Sequence, residues 1–343
     1  MVTTSDTADK VENLLNNGLR NLWYPVVPSW RLTEEPLGIT RLNTNIVIWR
    51  DKDNIVHALE DRCPHRGARL SQGWNLGDRL ACWYHGIEIN GEGVVKNVPA
   101  TDKISIEGKK CINSFPVKEL HGAIFLYFGD EAHPEPCTME LPEELTSSDY
   151  SNFLCTAMWK CNYRYAIDNV MDPMHGAYLH AKSHSMAKGD KTASMKIRET
   201  NQGLVFEKDG QRDVNFDWVE IGNTGTCWMR LSIPYRENAG PGGVFFIVGF
   251  ATPINENHTQ VFFWRIRKVS GWQRNVWRFM YRNRLEALHW AVLEQDRLVL
   301  EAMQGNARDQ EILYEHDMGL SRVRRDMKKA AERQLSELAD ITN

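Results

Sequence analysis

Two short strings constrain this chain more than any other feature: Cys63-Pro64-His65 and, sixteen residues later, Cys82-Trp83-Tyr84-His85. With 7 cysteines and 11 histidines in 343 residues, such a spacing arises by chance in roughly one chain in ten thousand. Each string offers one thiolate and one imidazole. Two Cys and two His can bind zinc tetrahedrally. They can also hold a [2Fe–2S] cluster in which two imidazoles replace two thiolates on one iron. Zinc ribbons more often use paired Cys-x2-Cys knuckles, so the iron–sulfur reading is preferred. Gly67 and Gly86 follow the histidines in what read as turns, where the backbone has to come close to the metal.

The remaining composition narrows the class. A net charge of −4 argues against a dedicated nucleic-acid binder. The most apolar stretch, residues 243–251, is far shorter than the roughly 20 residues of a spanning helix, so no membrane segment is expected. An odd number of cysteines spread over a long chain does not suit a full disulfide framework. Cys111, Cys137, Cys155, Cys161 and Cys227 lack ligand spacing with histidines and read as packed free thiols. The first residues carry Asp6, Asp9 and Glu12 and no apolar core, unlike a signal peptide, and a cytoplasmic location is expected.

Residues 1–17 read as a polar lead-in with a helical stretch. Residues 18–135 read as an all-β domain of short strands separated by turns such as Asp53-Asn54 and Asn90-Gly91. A Pro- and acid-rich stretch, 129–143, suggests the linker to a second domain, 136–343. There a helical pattern over 163–180 is interrupted at Pro173. Strand patterns follow at 203–207, 226–233, 243–251 and 260–267, and helical patterns at 272–304 and 319–339. Strands followed by helices indicate an α+β fold.

The second half holds Asp172-x2-His175-x4-His180. Two histidines and a carboxylate on one face of Fe(II) leave positions open for O₂ beside a substrate. Asp168 reads as a structural contact, and His184 is a rival for the second histidine. Further along, an apolar stripe of Leu285, Leu288, Val292, Val299 and Met303 includes Asp296 where an apolar residue is due. A carboxylate on a buried face needs an ion-pair partner or a metal.

The stretch Cys63-Pro64-His65-Arg66-Gly67-Ala68-Arg69-Leu70 with Cys82-Trp83-Tyr84-His85-Gly86 resembles the Rieske motif pair, and the chain is identified as a member of the Rieske non-haem iron oxygenases. Trp83 stands where that family commonly has Pro, and Ile87 where it commonly has Trp; neither is a ligand position. Asn169-x2-Asp172-x2-His175-x4-His180 resembles the family's catalytic signature, and the segment 294–302 its carboxylate-bearing helix.

The resemblance implies several expectations. The fold is an all-β Rieske domain followed by a helix-grip, START-like α+β domain. Cys63, His65, Cys82 and His85 hold the cluster; His175, His180 and Asp296 hold a mononuclear Fe(II). Asp172 bridges an iron-ligating histidine to a Rieske histidine of a neighbouring subunit, and Asn169 lies near the iron. The chain is the terminal oxygenase of a multicomponent system. NAD(P)H supplies electrons indirectly, through a separate ferredoxin or flavin reductase. O₂ and a small aromatic or heteroaromatic molecule are the substrates, with monooxygenation, dioxygenation and O- or N-dealkylation all open. Its compact length resembles the members that form a head-to-tail ring of three such subunits. The rival is a Rieske-type electron carrier without catalysis. Trp218, Trp228, Phe245, Phe246 and Trp264 read as core before pocket lining. The basic residues Arg322, Arg324, Arg325, Lys328, Lys329 and Arg333 read as a solvated helix face before a ferredoxin patch.

Overall fold

The computed structural model describes residues 4–101, 106–183, 191–235, 243–303 and 305–342. Residues 23–127 form three small antiparallel sheets, one of them four-stranded, over Trp74–Asn75, Arg79–Ala81, Glu88–Asn90 and Val95–Asn97. Two tight turns set the registers of the others. Leu42 and Asn43, at φ 48° and 57°, join Leu37–Arg41 to Thr44–Arg50. His121 and Gly122, at φ 52° and 80°, join Val117–Leu120 to Ala123–Tyr127. Two successive left-handed residues match the right-handed twist of hairpin strands.

The second half is built on a seven-stranded antiparallel sheet. Tyr150–Trp159 lies at one edge, followed in space by His258–Lys268, Val244–Asn255, Trp228–Pro234, Trp218–Gly222, Gly203–Lys208 and Met195–Glu199. The strand patterns read from the sequence at 203–207, 226–233, 243–251 and 260–267 fall on four of these strands. The strands at 150–159, 195–199 and 218–222 were not anticipated.

Both faces of this sheet are buried, which explains the aromatic runs. On one face Phe206, Met229, Leu231, Phe245 and Phe263 pack against Ile167, Leu293, Leu300 and Val323 of the helices. On the other, Trp228, Val248, Phe250, Phe262 and Trp264 pack against Trp23, Phe125 and Tyr127 of the first half. Neighbours such as Phe262 and Phe263 thus serve opposite cores, as the period of two requires. The two halves are also stitched by hydrogen bonds. The Leu42 N–H donates to the Pro253 carbonyl at 2.9 Å. The Thr252 hydroxyl donates to the Pro25 carbonyl at 2.7 Å, and the Trp264 indole to the His121 carbonyl at 2.9 Å.

The lead-in is an integral element. Helix Thr4–Asn17 buries Val11 and Leu15 against Ala331 of the C-terminal helix Met318–Thr342. The helical pattern at 272–304 is three pieces: Gly271–Met280, a π-helical turn Tyr281–Leu285, and Glu286–Ala302. Its inward face also differs from the expected stripe. Leu293, Asp296 and Leu300 are buried, whereas Leu288, Val299 and Met303 are exposed. The extra residue of the π turn rotates the later helix relative to the earlier one. Among the described residues, no helix is long and apolar enough to cross a membrane.

Phe250 is 2% exposed and touches Trp264 of the neighbouring strand and, across the junction between the halves, Phe125. Phe250→Ala is expected to cost roughly 3–5 kcal/mol of unfolding free energy. It is read as a lower denaturant midpoint; an unchanged midpoint would count against a shared core.

Candidate metal centres

The two Cys/His strings fold into matching loops. The Cys63 N–H donates to Ala68 O at 2.7 Å and the Gly67 N–H to Cys63 O at 2.9 Å. Likewise the Cys82 N–H donates to Ile87 O and the Gly86 N–H to Cys82 O, both at 2.8 Å. Gly67 and Gly86 have φ of 75° and 71°, and a Cβ at Gly67 would meet nothing within 4 Å. At Gly67 the requirement is therefore the left-handed backbone, not space. Behind the loops, the buried Asp61 carboxylate accepts from the Ser71 N–H at 2.8 Å and the Ser71 hydroxyl at 2.7 Å.

Cys63 and Cys82, 2% and 1% exposed, sit in the core of Leu59, Leu70, Leu80 and Ile89. His65 is exposed and His85 half-buried, with their Nδ1 atoms 3.2 Å apart. Thiols thus face inward and imidazoles outward. Burial pushes the Cys63 thiol up to about 11, and the adjacent Cys82 adds to the rise. Two buried thiols side by side, with two ring nitrogens at one point, suit a bound cationic centre that keeps the sulfurs deprotonated. The departures from the family pattern have plain outcomes: Ile87 is buried in this core, and Trp83 is exposed.

The second centre begins on helix Tyr163–Val170. The Asn162 side chain caps it by accepting from the Arg164 N–H at 3.0 Å. Asn169 lies in its last turn, half-buried, and its carbonyl accepts the Asp172 N–H at 3.3 Å. Pro173 ends the run, and Asp172 Oδ1 accepts from the Met174 N–H at 2.8 Å, turning the chain into helix His175–Leu179. Asp172 Oδ2 is left 3.8 Å from His175 Nδ1. Asp168 faces elsewhere, paired with Arg308 at 2.6 Å and Arg324 at 2.7 Å.

His175, His180 and Asp296 come together: one donor atom from each lies within 4.8 Å of the others. Asp296 Oδ1 is 3.2 Å from His180 Nε2 and 3.5 Å from His175 Nε2. It is buried and makes no well-directed hydrogen bond. His184 lies outside the described residues.

Sequence reading missed Gln295. Its Oε1 is 2.8 Å from His180 Nδ1. An amide oxygen only accepts, so Nδ1 carries the proton and the Nε2 lone pair faces Asp296. A carboxylate oxygen and ring-nitrogen lone pairs then converge, an arrangement that a proton on His180 or a bound metal cation reconciles. The residues present therefore fit a mononuclear metal with two N ligands and one O ligand. Burial would lower His180, but the nearby Asp296 carboxylate and the Gln295 contact raise it above the ordinary imidazole value. At His175 burial wins over Asp296 and Asp172, and its value falls. Phe216 meets the His175 ring edge-on, with centroids 5.6 Å apart. The only sequence signal for Gln295 was its place beside Asp296.

The weaker candidates resolve mostly into packing. Trp218, Trp228, Phe245 and Trp264 are buried, and Phe246 is half-buried. On the C-terminal helix Arg322 pairs with Glu199 and Asp326, and Arg324 with Asp168 and Glu311. Arg325, Lys328, Lys329 and Arg333 are exposed. The seven cysteines are all free.

Comparison with known proteins agrees with this layout. Residues 22–116 match the Rieske [2Fe-2S] domain. Residues 159–333, just over half of the chain, match the vanillate O-demethylase oxygenase C-terminal domain. A vanillate O-demethylase oxygenase subunit of Pseudomonas sp. is 35% identical over 164 residues, 48% of this chain and 46% of that protein. The chain thus spans about half the length of that relative. A protein of Comamonas testosteroni named for the iron-sulfur subunit of a toluene-4-sulfonate monooxygenase system is 33% identical over 317 residues. That match covers 83% of this chain and 88% of the relative. The solved complex of oxygenase and ferredoxin in carbazole 1,9a-dioxygenase shares the fold, with a TM-score of 0.74 at 21% identity over 96% of this chain and 91% of that one. The chain belongs to the Rieske oxygenase family, with a catalytic domain of the vanillate O-demethylase oxygenase type.

Proposed function

We propose that this chain is the terminal oxygenase component of a multicomponent Rieske system acting on a small aromatic or heteroaromatic substrate. In this reading residues 18–135 carry the cluster and 136–343 the oxygenase centre, and the protein works in the cytoplasm. One observation carries the reading: His175, His180 and Asp296 offer three donor atoms to a single point in the chain that also bears the paired Cys/His loops. An electron carrier has no use for that second centre.

Cys63, His65, Cys82 and His85 would hold the [2Fe–2S] cluster, and His175, His180 and Asp296 the Fe(II). When bound, the cluster supplies single electrons and the iron supplies the position where O₂ is activated beside substrate. The chain's own residues do the positioning. Gln295 holds the His180 tautomer, and the Phe216 ring edge limits tilting of His175. Asn169, one turn from the metal-bearing helix, would line the same region. Asp172 is 38% exposed in its side chain, so one oxygen faces His175 while the group stays open to a neighbour. That geometry supports a ring of three subunits in which Asp172 joins His175 to a Rieske histidine of the adjacent copy. Electrons would come from NAD(P)H through a ferredoxin, a flavin reductase or both. The relatives' names, an O-demethylase and a monooxygenase system, favour oxidation of a substituted aromatic molecule, with dealkylation among the outcomes.

The direct test is product analysis with isotopically labelled O₂ against a panel of substituted aromatics, with a surrogate reductase. Label in a product supports the reading; NADH oxidation without labelled product from any panel member counts against it. Asp296→Ala should lose the mononuclear iron while keeping the reduced Rieske EPR signal; full iron retention would remove Asp296 from the ligand set. Asp172→Asn should keep both metals yet nearly abolish coupled turnover, and normal turnover would end the bridging role. For Gln295→Leu, iron affinity is expected to fall roughly 10–100-fold, measured by competition with a chelator. Unchanged affinity would show that Gln295 does not orient His180.

A further inference from the structure

Arg265 is 3% exposed and has no counter-charge. Among the described residues it is in no ion pair, and its Nε and Nη1 make no hydrogen bond. Other arginines below the surface are provided for. Arg41 donates to the Thr40 and Val26 carbonyls, and Arg230 lies between Glu144 and Glu220. A guanidinium stays charged in a protein, and burying one without a partner is costly.

The sheet places this charge on the same side as the second metal centre. Arg265 pairs with Ile247 on one neighbouring strand and Phe153 on the other. Its guanidinium lies over the ring of Phe263, 5.5 Å from the centroid, and Phe263 and Phe245 belong to the core beneath the helices. Helix Glu286–Ala302 covers this face. His289 stacks on Phe245 with centroids 4.6 Å apart and meets Tyr281 edge-on at 5.5 Å. Tyr281 in turn stacks on Phe153 at 4.4 Å. His289 and Asp296 are seven residues apart, which is about 10 Å along a helix and nearly the same face. Arg265 therefore lies under the helix face that presents Asp296, toward the start of that helix. Tyr281 is no counter-ion for it: burial holds that hydroxyl well above the usual phenol range despite the Arg265 charge. The hydroxyl instead sits 3.6 Å from Cys155 Sγ.

We infer that Arg265 receives the carboxylate of an anionic aromatic substrate, whose ring then lies between Arg265 and the His175–His180–Asp296 centre. This rests on the oxygenase reading above and narrows its substrate class to aromatic acids. Guanidinium N–H groups match two carboxylate oxygens at once, and the pair is strong where water is excluded. A neutral aromatic would leave the buried charge unpaired. The helical separation is of the order of the length of a ring-substituted benzoate, so the end opposite the carboxylate reaches toward the metal ligands.

Calorimetric binding to the iron-loaded chain, without reductase or O₂, tests this independently of turnover. The probes are methoxybenzoates and chlorobenzoates, each beside its neutral benzamide. At least one carboxylate should bind roughly tenfold or more tightly than its amide. Arg265→Met should lose that preference, leave amide affinity unchanged, and keep the Rieske absorbance and iron content. Its thermal midpoint should be no lower than the parent's, because an uncompensated buried charge has gone. Arg265→Lys keeps the charge without the planar fork and should retain part of the preference. The inference is overturned if no carboxylate outbinds its amide on the parent, or if the Met variant keeps the preference. A lowered midpoint with unchanged preference would make Arg265 a packing residue and also overturn it. Labelled product from a neutral aromatic, with no carboxylate bound, would overturn this inference and leave the oxygenase reading standing. Carboxylate binding that depends on Arg265, in a chain that forms no labelled product, would do the reverse.

Discussion

Asp296 Oδ1 is buried between His180 Nε2 at 3.2 Å and His175 Nε2 at 3.5 Å, with no well-directed hydrogen bond of its own. A carboxylate in that setting is costly unless a positive charge sits with it. His175 does not supply that charge, because burial depresses it, whereas Asp296 raises His180 and a bound metal would be held by all three groups. The rest of the second half is arranged around this need for a cation. Helix Glu286–Ala302 delivers the carboxylate, and the Pro173 break turns His175 and His180 toward it.

The seven-stranded sheet makes that arrangement rigid. One of its faces backs the helices that bear His175, His180 and Asp296, and the other is the floor on which the first half sits. The aromatic residues that could have been read as pocket lining are mostly this double core. The Cys/His loops are held differently, by short backbone hydrogen bonds and by Asp61, with thiols inside and imidazoles at the surface. Each centre thus has its own brace, and the shared Trp23–Phe250–Trp264 core fixes one half against the other.

Much of this was legible in advance, for particular reasons. Cys63, His65, Cys82 and His85 lie in two tight loops, so their spacing along the chain is close to their spacing in space. The same holds for Asp172, His175 and His180, separated by one short turn and one short helix. The strands 203–208 and 258–268 carry continuous apolar runs because both sheet faces are buried. Tyr150–Trp159 and Met195–Glu199 escaped notice because they are edge strands, whose polar residues hide the pattern. The helical stripe was misplaced because helix Glu286–Ala302 carries apolar residues on more than one face, and apolar spacing alone does not say which face packs. Leu293 and Leu300 therefore flank Asp296 in the core, not Leu288 and Val299.

The sequence by itself determined the two candidate ligand clusters, their order and the α+β class, because these depend on local spacing and on periods of two and 3.6 residues. Tertiary structure alone decided which carboxylate turns inward and which group orients the histidine. Gln295 and His180 are 115 residues apart, and no local rule relates them. Their meeting depends on how helix Glu286–Ala302 packs on a sheet buried on both faces. Packing of that kind is a property of the whole chain, since each contact exists only after the others have formed.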